Sequence, residues 1–361
     1  MSDFDPFTSS FTMLKMKYKD YDESITAMNF LQPNDKINVF INAESVFRFL
    51  TRIQDLENKI ILQRDFDKIL ISNFINLIAH YKRFFVNNGL KTKVYLYHTD
   101  FSSDEFPQTK YNEDYRSYYL LKFNRNPKYI LLSEHLKDSV LPRVKTICEF
   151  IPDVYYISTK DLEGSLVPFI IANQDLERKN LIISGELYDT QYTGIPNFLN
   201  HYIHRNFQIN RIECTIKEYL QDMTKKDGDD IESLYKVYQY YPLYCSLISV
   251  MGDKLRSIDG IFGFNVMTLQ KCLLDGLLRN TIQSDTTSPE LIGEIFHDND
   301  IKKEFVNNYY CSSIISMYQE LSDAQKNSVN DQLIDRIDLN SLNALNATDF
   351  YHHPLLLEAL F

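Results

Sequence analysis

Residues 180–191 read Asn-Leu-Ile-Ile-Ser-Gly-Glu-Leu-Tyr-Asp-Thr-Gln: an apolar run, Leu181 to Ile183, that breaks at Ser184-Gly185 and delivers Glu186 just beyond the break. Three more short β-branched or aromatic runs lie upstream, at Val39 to Ile41, Val94 to Tyr97 and Val154 to Ile157. Longer segments with helical spacing separate them, Phe66 to Phe85 and Leu162 to Asn173. Strand alternating with helix predicts an α/β fold, a mostly parallel central sheet with helices on both faces. Ligands of such sheets gather at the carboxyl ends of the strands, so the residues following each run are the candidate site.

The first run, from Lys36 to Ile41, ends at Asn42-Ala43-Glu44-Ser45. The second passes through Tyr97-His98-Thr99 to Asp100, with Tyr115-Arg116 further on. Leu162-Glu163-Gly164-Ser165-Leu166 stands ahead of an apolar helix, and Glu186 and Tyr188 follow Ser184-Gly185. Met251-Gly252-Asp253-Lys254-Leu255-Arg256 leads through Gly260 and Gly263 to Asn265 and the amphipathic segment Val266 to Leu278.

In this order, over residues 36–280, these motifs resemble the flap endonuclease and 5′→3′ exonuclease family. The resemblance implies a PIN-like nuclease domain over 36–230, preceded by an extension at 1–35. It implies a helix-three-turn-helix module that grips DNA over 231–280, with a C-terminal helical region at 281–361. The family's acidic cluster holds two metal ions, which activate a water and stabilise the leaving oxygen in phosphodiester cleavage. Carried over position by position, it leaves Asp100, Glu163, Glu186 and Asp253 as the candidate acids. Gly260 and Gly263, whose amides face a phosphate directly or through a monovalent cation, are the DNA-binding candidates with Lys254, Arg256, Lys271 and Arg116.

The departures are as informative as the matches. Asn42, Ser165, Leu166, Tyr188 and Arg256 stand where the family carries aspartates, and Pro107 where it carries an arginine. A neutral amide brings no charge to hold a hard cation. Two readings of the four remaining acids stay open: remnants satisfied by lysines and helix caps, or convergent ligands of one Mg²⁺ or Mn²⁺. The leading expectation is a catalytically degenerate protein that binds or scaffolds branched or single-strand-containing DNA in phage replication, recombination or transcription. Its rivals are a weakly active metal-dependent 5′ nuclease, and a virion or other structural protein built on the old fold.

Composition bounds these readings. With 361 residues, 44% of them hydrophobic, the chain can bury a full core. A formal charge of −11 excludes indiscriminate nucleic-acid binding and confines any DNA contact to a local patch. The five cysteines are scattered, with no C-x-x-C pair, so neither a zinc site nor a disulfide framework is expected. No export signal is read at the N-terminus, and no apolar run approaches the roughly 20 residues that span a bilayer. A soluble protein of the cytoplasm, a phage host's cytoplasm or a virion is expected; 10 glycines, no tryptophan and much Ile, Asn and Lys suit an AT-rich phage genome.

Other motifs carry less. The pairs His201/His204 and His352/His353 lack metal-ligand partners at the right spacing and read as surface or core residues. Tyr235 to Tyr244 reads as core rather than as a base-stacking platform. Residues 224–230 read as a solvated loop, Ser288-Pro289 as a helix start, and everything after about residue 231 as helical. The tail Leu357-Glu358-Ala359-Leu360-Phe361 resembles the peptides by which replication proteins dock on a sliding clamp, with Leu357, Leu360 and Phe361 as anchors; packing on its own domain is the equal alternative.

Overall fold

The computed structural model describes residues 34–46, 63–100, 106–115, 136–186, 188–195, 197–203, 209–211, 245, 248–250, 252–253, 256–261, 290, 293–294 and 296–333. Strands β1 (Lys36–Asn42), β2 (Lys91–Thr99), β3 (Val154–Thr159), β4 (Lys179–Ser184), β5 (Phe198–Ile203) and β6 (Ile209–Arg211) form one sheet in the order β3-β2-β1-β4-β5-β6. All neighbouring pairs are parallel except β5 with β6.

The central strands are buried on both faces, as a parallel sheet requires. Along β1, Phe40 points to one core together with Tyr95, Tyr155 and Ile182. Its neighbours Val39 and Ile41 point to the other, with Val94, Leu96, Leu181 and Ile183. Helix α1 (Gln63–Asn87) and helix α2 (Leu141–Cys148) cover this second face. On α1, Leu70, Phe74, Ile78, Tyr81 and Phe85 recur every three or four residues, which makes one apolar stripe. The first face is covered by α3 (Val167–Ala172), α4 (Asn299–Ser312), α5 (Ile314–Glu320) and α6 (Asp323–Asn330).

Each anticipated strand is present and longer than its apolar run. The helix expected over Leu162 to Asn173 is shorter: Gly164–Leu166 is a 3-10 turn, and α3 begins at Val167. Pro168, which has no amide hydrogen to donate, fits the first turn of a helix and sets that start. Strands β5 and β6 were not anticipated. Nor are all described residues after 231 helical: Asp253 and Ile258 form an antiparallel bridge around a tight turn. Positive φ angles at Gly252 (78°) and Ser257 (55°) close that turn and exclude a helix.

The chain leaves β1 toward β2 and β3 on one side and returns to β4 on the other. The strand order therefore reverses between β1 and β4, and a crevice opens at their carboxyl ends. No described helix is long and apolar enough to cross a membrane. Residues 1–33, 224–230, Tyr235 to Tyr244, Ser288-Pro289, His204, His352/His353 and the tail Leu357 to Phe361 lie outside the described residues; His201 falls on β5.

Candidate functional site

Asn42, Glu44, Tyr97, Thr99, Glu163, Ser165 and Glu186 line a cleft at the crevice. Glu163 follows β3 and is 1% exposed. Tyr115 Oη donates to its Oε1 at 2.8 Å. The loop is pressed against the end of β2, where Gly164 N donates to Thr99 Oγ1 at 2.8 Å. A Cβ on Gly164 would sit about 3.0 Å from that oxygen and 3.1 Å from the backbone of His98 and Thr99, so only glycine fits comfortably. Glu186 lies just past β4, its amide donating to Ser184 Oγ at 3.1 Å.

Arg256 joins these acids. Its Nη2 lies 2.8 Å from Glu186 Oε2 and 3.9 Å from Glu163 Oε2, and its Nη1 donates to Asp253 Oδ2 at 2.8 Å. The guanidinium carbon stands 3.9 Å from the centre of the Tyr188 ring, in cation–π contact. Burial opposes the charge, but Asp253, Glu163 and Glu186 outweigh it and hold the Arg256 pKa well above its ordinary value. Arg256 is 2% exposed, so it is not the phosphate-facing cation expected on an open DNA-binding surface. A guanidinium buried among three carboxylates is not open to a phosphate arriving from solvent.

The turn that carries Arg256 is over-determined. Asp253 N donates to Ile258 O at 2.9 Å, and Ile258 N and Arg256 N each donate to Asp253 O at 3.0 Å. Asn112 Nδ2 donates to Ser257 O at 2.7 Å, and Asn308 Nδ2 to Asp259 O and Ser249 O, each at 2.9 Å. Gly252 meets the returning strand so closely that a Cβ there would lie 2.5 Å from Ile258 O. Gly260 leaves the turn on the exposed side. Lys254, Gly263, Lys271 and Arg116 lie outside the described residues.

A fifth acid is not apparent from the motifs. Asp189 is fully buried, and its Oδ2 accepts from Asn42 Nδ2 at 3.1 Å and Tyr97 Oη at 3.3 Å. Burial, then the nearby Glu186 charge, push its pKa up, against hydrogen bonds from Ser165 and Ser184. The signal was its adjacency to Tyr188: a 3-10 helix over Tyr188–Gly194 lets the two consecutive side chains reach different partners. Gln191, three residues on from Tyr188, serves a structural end. Its Nε2 donates to Tyr188 O (2.8 Å) and Ser312 O (3.0 Å), and its Oε1 accepts from Ile314 N (2.9 Å). Asp100 follows β2, with its amide bonded to Thr159 O, and the ion pairs to Arg256 come from the other three acids.

Three of the four acids of the resemblance thus converge, yet on a guanidinium. Divalent ions need oxygens at roughly 2.0–2.6 Å. An ion sharing Glu186 and Asp253 with Arg256 would face a positive charge at close range in a largely buried site, where Coulomb repulsion is screened less than in water. Tyr188 offers no anionic ligand, because burial drives its phenol well above pKa 10 despite the opposing pull of Arg256. Among the described residues no group of three His, Cys, Asp or Glu side chains is placed to hold a metal ion. The site as it stands does not fit Mg²⁺ or Mn²⁺.

No protein-family description and no curated relative matches the chain at the level of sequence. Solved structures do match by fold. Bacteriophage T5 flap endonuclease, in a pseudo-enzyme–product complex with DNA and metal ions, aligns with a TM-score of 0.51 at 12% identity, over 82% of this chain and 98% of that one. The bacteriophage T5 protein co-crystallised with metal ions aligns at 0.52 and 11% identity, over the same shares. Bacteriophage T5 5′-exonuclease with bound zinc aligns at 0.50 and 11%. At these identities the likeness is one of architecture: the chain has a flap-endonuclease-like fold.

Proposed function

We propose that this protein uses a flap-endonuclease-like fold to bind branched or single-strand-containing DNA without cutting it, as a scaffolding factor in phage DNA replication, recombination or transcription. The observation that carries the proposal is the Arg256 guanidinium lying 2.8 Å from both Glu186 and Asp253. A two-metal nuclease needs those carboxylates for its ions. The T5 flap endonuclease that shares the fold was crystallised with DNA and metal ions; in this reading the chain retains the DNA contact and has lost the metals. With a net charge of −11, DNA contact is confined to a patch, for which Gly260, Lys254, Lys271 and Arg116 are the candidates.

The test uses end-labelled 5′-flap, nicked and single-stranded DNA in Mg²⁺ and in Mn²⁺, beside fluorescence anisotropy with the same substrates. No cleavage is expected, with binding that weakens steeply as salt rises. Lys254→Glu with Lys271→Glu should flatten the log–log salt dependence by about two units. Turnover that Glu163→Ala and Asp253→Ala abolish would restore the weakly active nuclease. An absence of binding even at low salt would favour a structural or virion role, which the net negative charge already suits.

A further inference from the structure

We infer that Arg256 is the resident cation of this site: it takes the electrostatic place of a metal ion, excludes divalent ions, and fastens the Gly252–Ile261 turn to the carboxyl edge of the sheet. The inference deepens the proposed function by naming what the retained carboxylates hold, and it is tested without DNA.

Glu163 is 1% exposed and the Glu186 side chain 9%, so neither carboxylate is fully solvated. A nearby cation offsets the cost of keeping them ionised, and the chain supplies one. The planar guanidinium fork matches this arrangement of acids. One nitrogen serves Asp253, another serves Glu186 and faces Glu163, and the guanidinium carbon lies over the Tyr188 ring. Arg256 and Asp253 belong to one turn, whereas Glu163 and Glu186 follow β3 and β4. The network therefore joins three segments far apart in sequence. Tyr115, bonded to Glu163 at 2.8 Å, and Asn112, bonded to Ser257 O at 2.7 Å, draw a fourth segment to the same joint. In a metalloenzyme such a joint would tighten when the ion binds; here it is closed by a side chain already in the chain.

The wild-type protein should show the same melting temperature, within about 1 °C, in EDTA, Mg²⁺ and Mn²⁺. Mn²⁺ titration followed by electron paramagnetic resonance should show no site that Glu186→Gln removes. Arg256→Met should melt lower, take up Mn²⁺, and regain part of its melting temperature when Mn²⁺ is added. Hydrogen exchange at residues 252–261 should quicken in Arg256→Lys, whose compact ammonium cannot bridge the same partners. A wild-type protein that gains about 5 °C or more in Mn²⁺, with the gain lost in Glu186→Gln, overturns the inference. So does an Arg256→Met protein as stable as the wild type that takes up no Mn²⁺. Should Arg256→Met fail to fold, the wild-type titration decides alone. Failure to bind DNA leaves the inference standing, whereas metal uptake by the wild type overturns it even where DNA binds.

Discussion

At the scale of single residues, Tyr188 and Arg256 explain each other. Each stands where the resemblance leads one to expect a carboxylate, and in the folded chain the ring of one carries the cation of the other at 3.9 Å. Removing one partner of a buried ion pair leaves uncompensated charge, so Arg256→Gln is expected to cost about 3–5 kcal/mol in urea denaturation. Arg256→Lys should recover only part of that loss. Asp189 yields a prediction of opposite sign. Its folded-state pKa is raised, chiefly by burial, so the native protein holds a proton there that the unfolded chain, with an ordinary pKa of about 3.9, releases. Stability therefore falls progressively as pH climbs from the unfolded-state value to the folded one, and the penalty is absent below the unfolded value. Asp189→Asn, which keeps an oxygen to accept from Asn42 and Tyr97, should unfold at higher urea than the wild type near pH 8. The gain should vanish by about pH 3.5, below the ordinary carboxylate pKa. A lower midpoint at pH 8 would show that the ionised carboxylate is net stabilised.

At the scale of elements, the Gly252–Ile261 turn is where sequence and structure meet most tightly. Gly252, at φ +78° and with Ile258 O where a Cβ would stand, tolerates no side chain. Gly252→Ala should destabilise by about 1–3 kcal/mol and quicken hydrogen exchange through Arg256 and Ile258. Helix α6 offers a milder case. Ser322 Oγ accepts from Gln325 N, and the Gln325 side chain accepts in return from Ser322 N, a complete capping box. Ser322→Ala should cost about 1 kcal/mol, read as a shifted thermal midpoint. Strand β3 is an edge in the sheet order, and Gln332 blunts it: its amide donates to Ser158 O at 3.1 Å and accepts from Ser158 N at 3.0 Å, as a neighbouring strand would.

At the scale of the molecule, helices α4 to α6 are part of the α/β body. Phe305, Tyr309, Ile314, Met317 and Val329 share one core with Phe40, Tyr95, Tyr155 and Ile182. A chain ending at residue 295 should therefore lose its cooperative thermal transition and bind a hydrophobic dye, where the full chain melts in one step. A truncated chain that melts cooperatively near the wild-type temperature would show that the C-terminal helices dock on an independently stable sheet. The alternation of strands and helices, the parallel sheet and the position of the site at its carboxyl edge were all legible in residues 36–191, because burial on two faces writes continuous apolar runs. Strands β5 and β6 were not, since Phe198-Leu-Asn-His-Tyr-Ile203 is too polar to announce itself without β4 beside it. The sequence by itself determined which carboxylates survive, Glu163, Glu186 and Asp253, and that Arg256 and Tyr188 had entered their company. Only the tertiary structure decided that Arg256 turns inward and that Asp189 is buried close by. Local sequence sets how a turn bends, but which charge a side chain meets depends on segments about 70 and 90 residues away, brought together when the sheet closes.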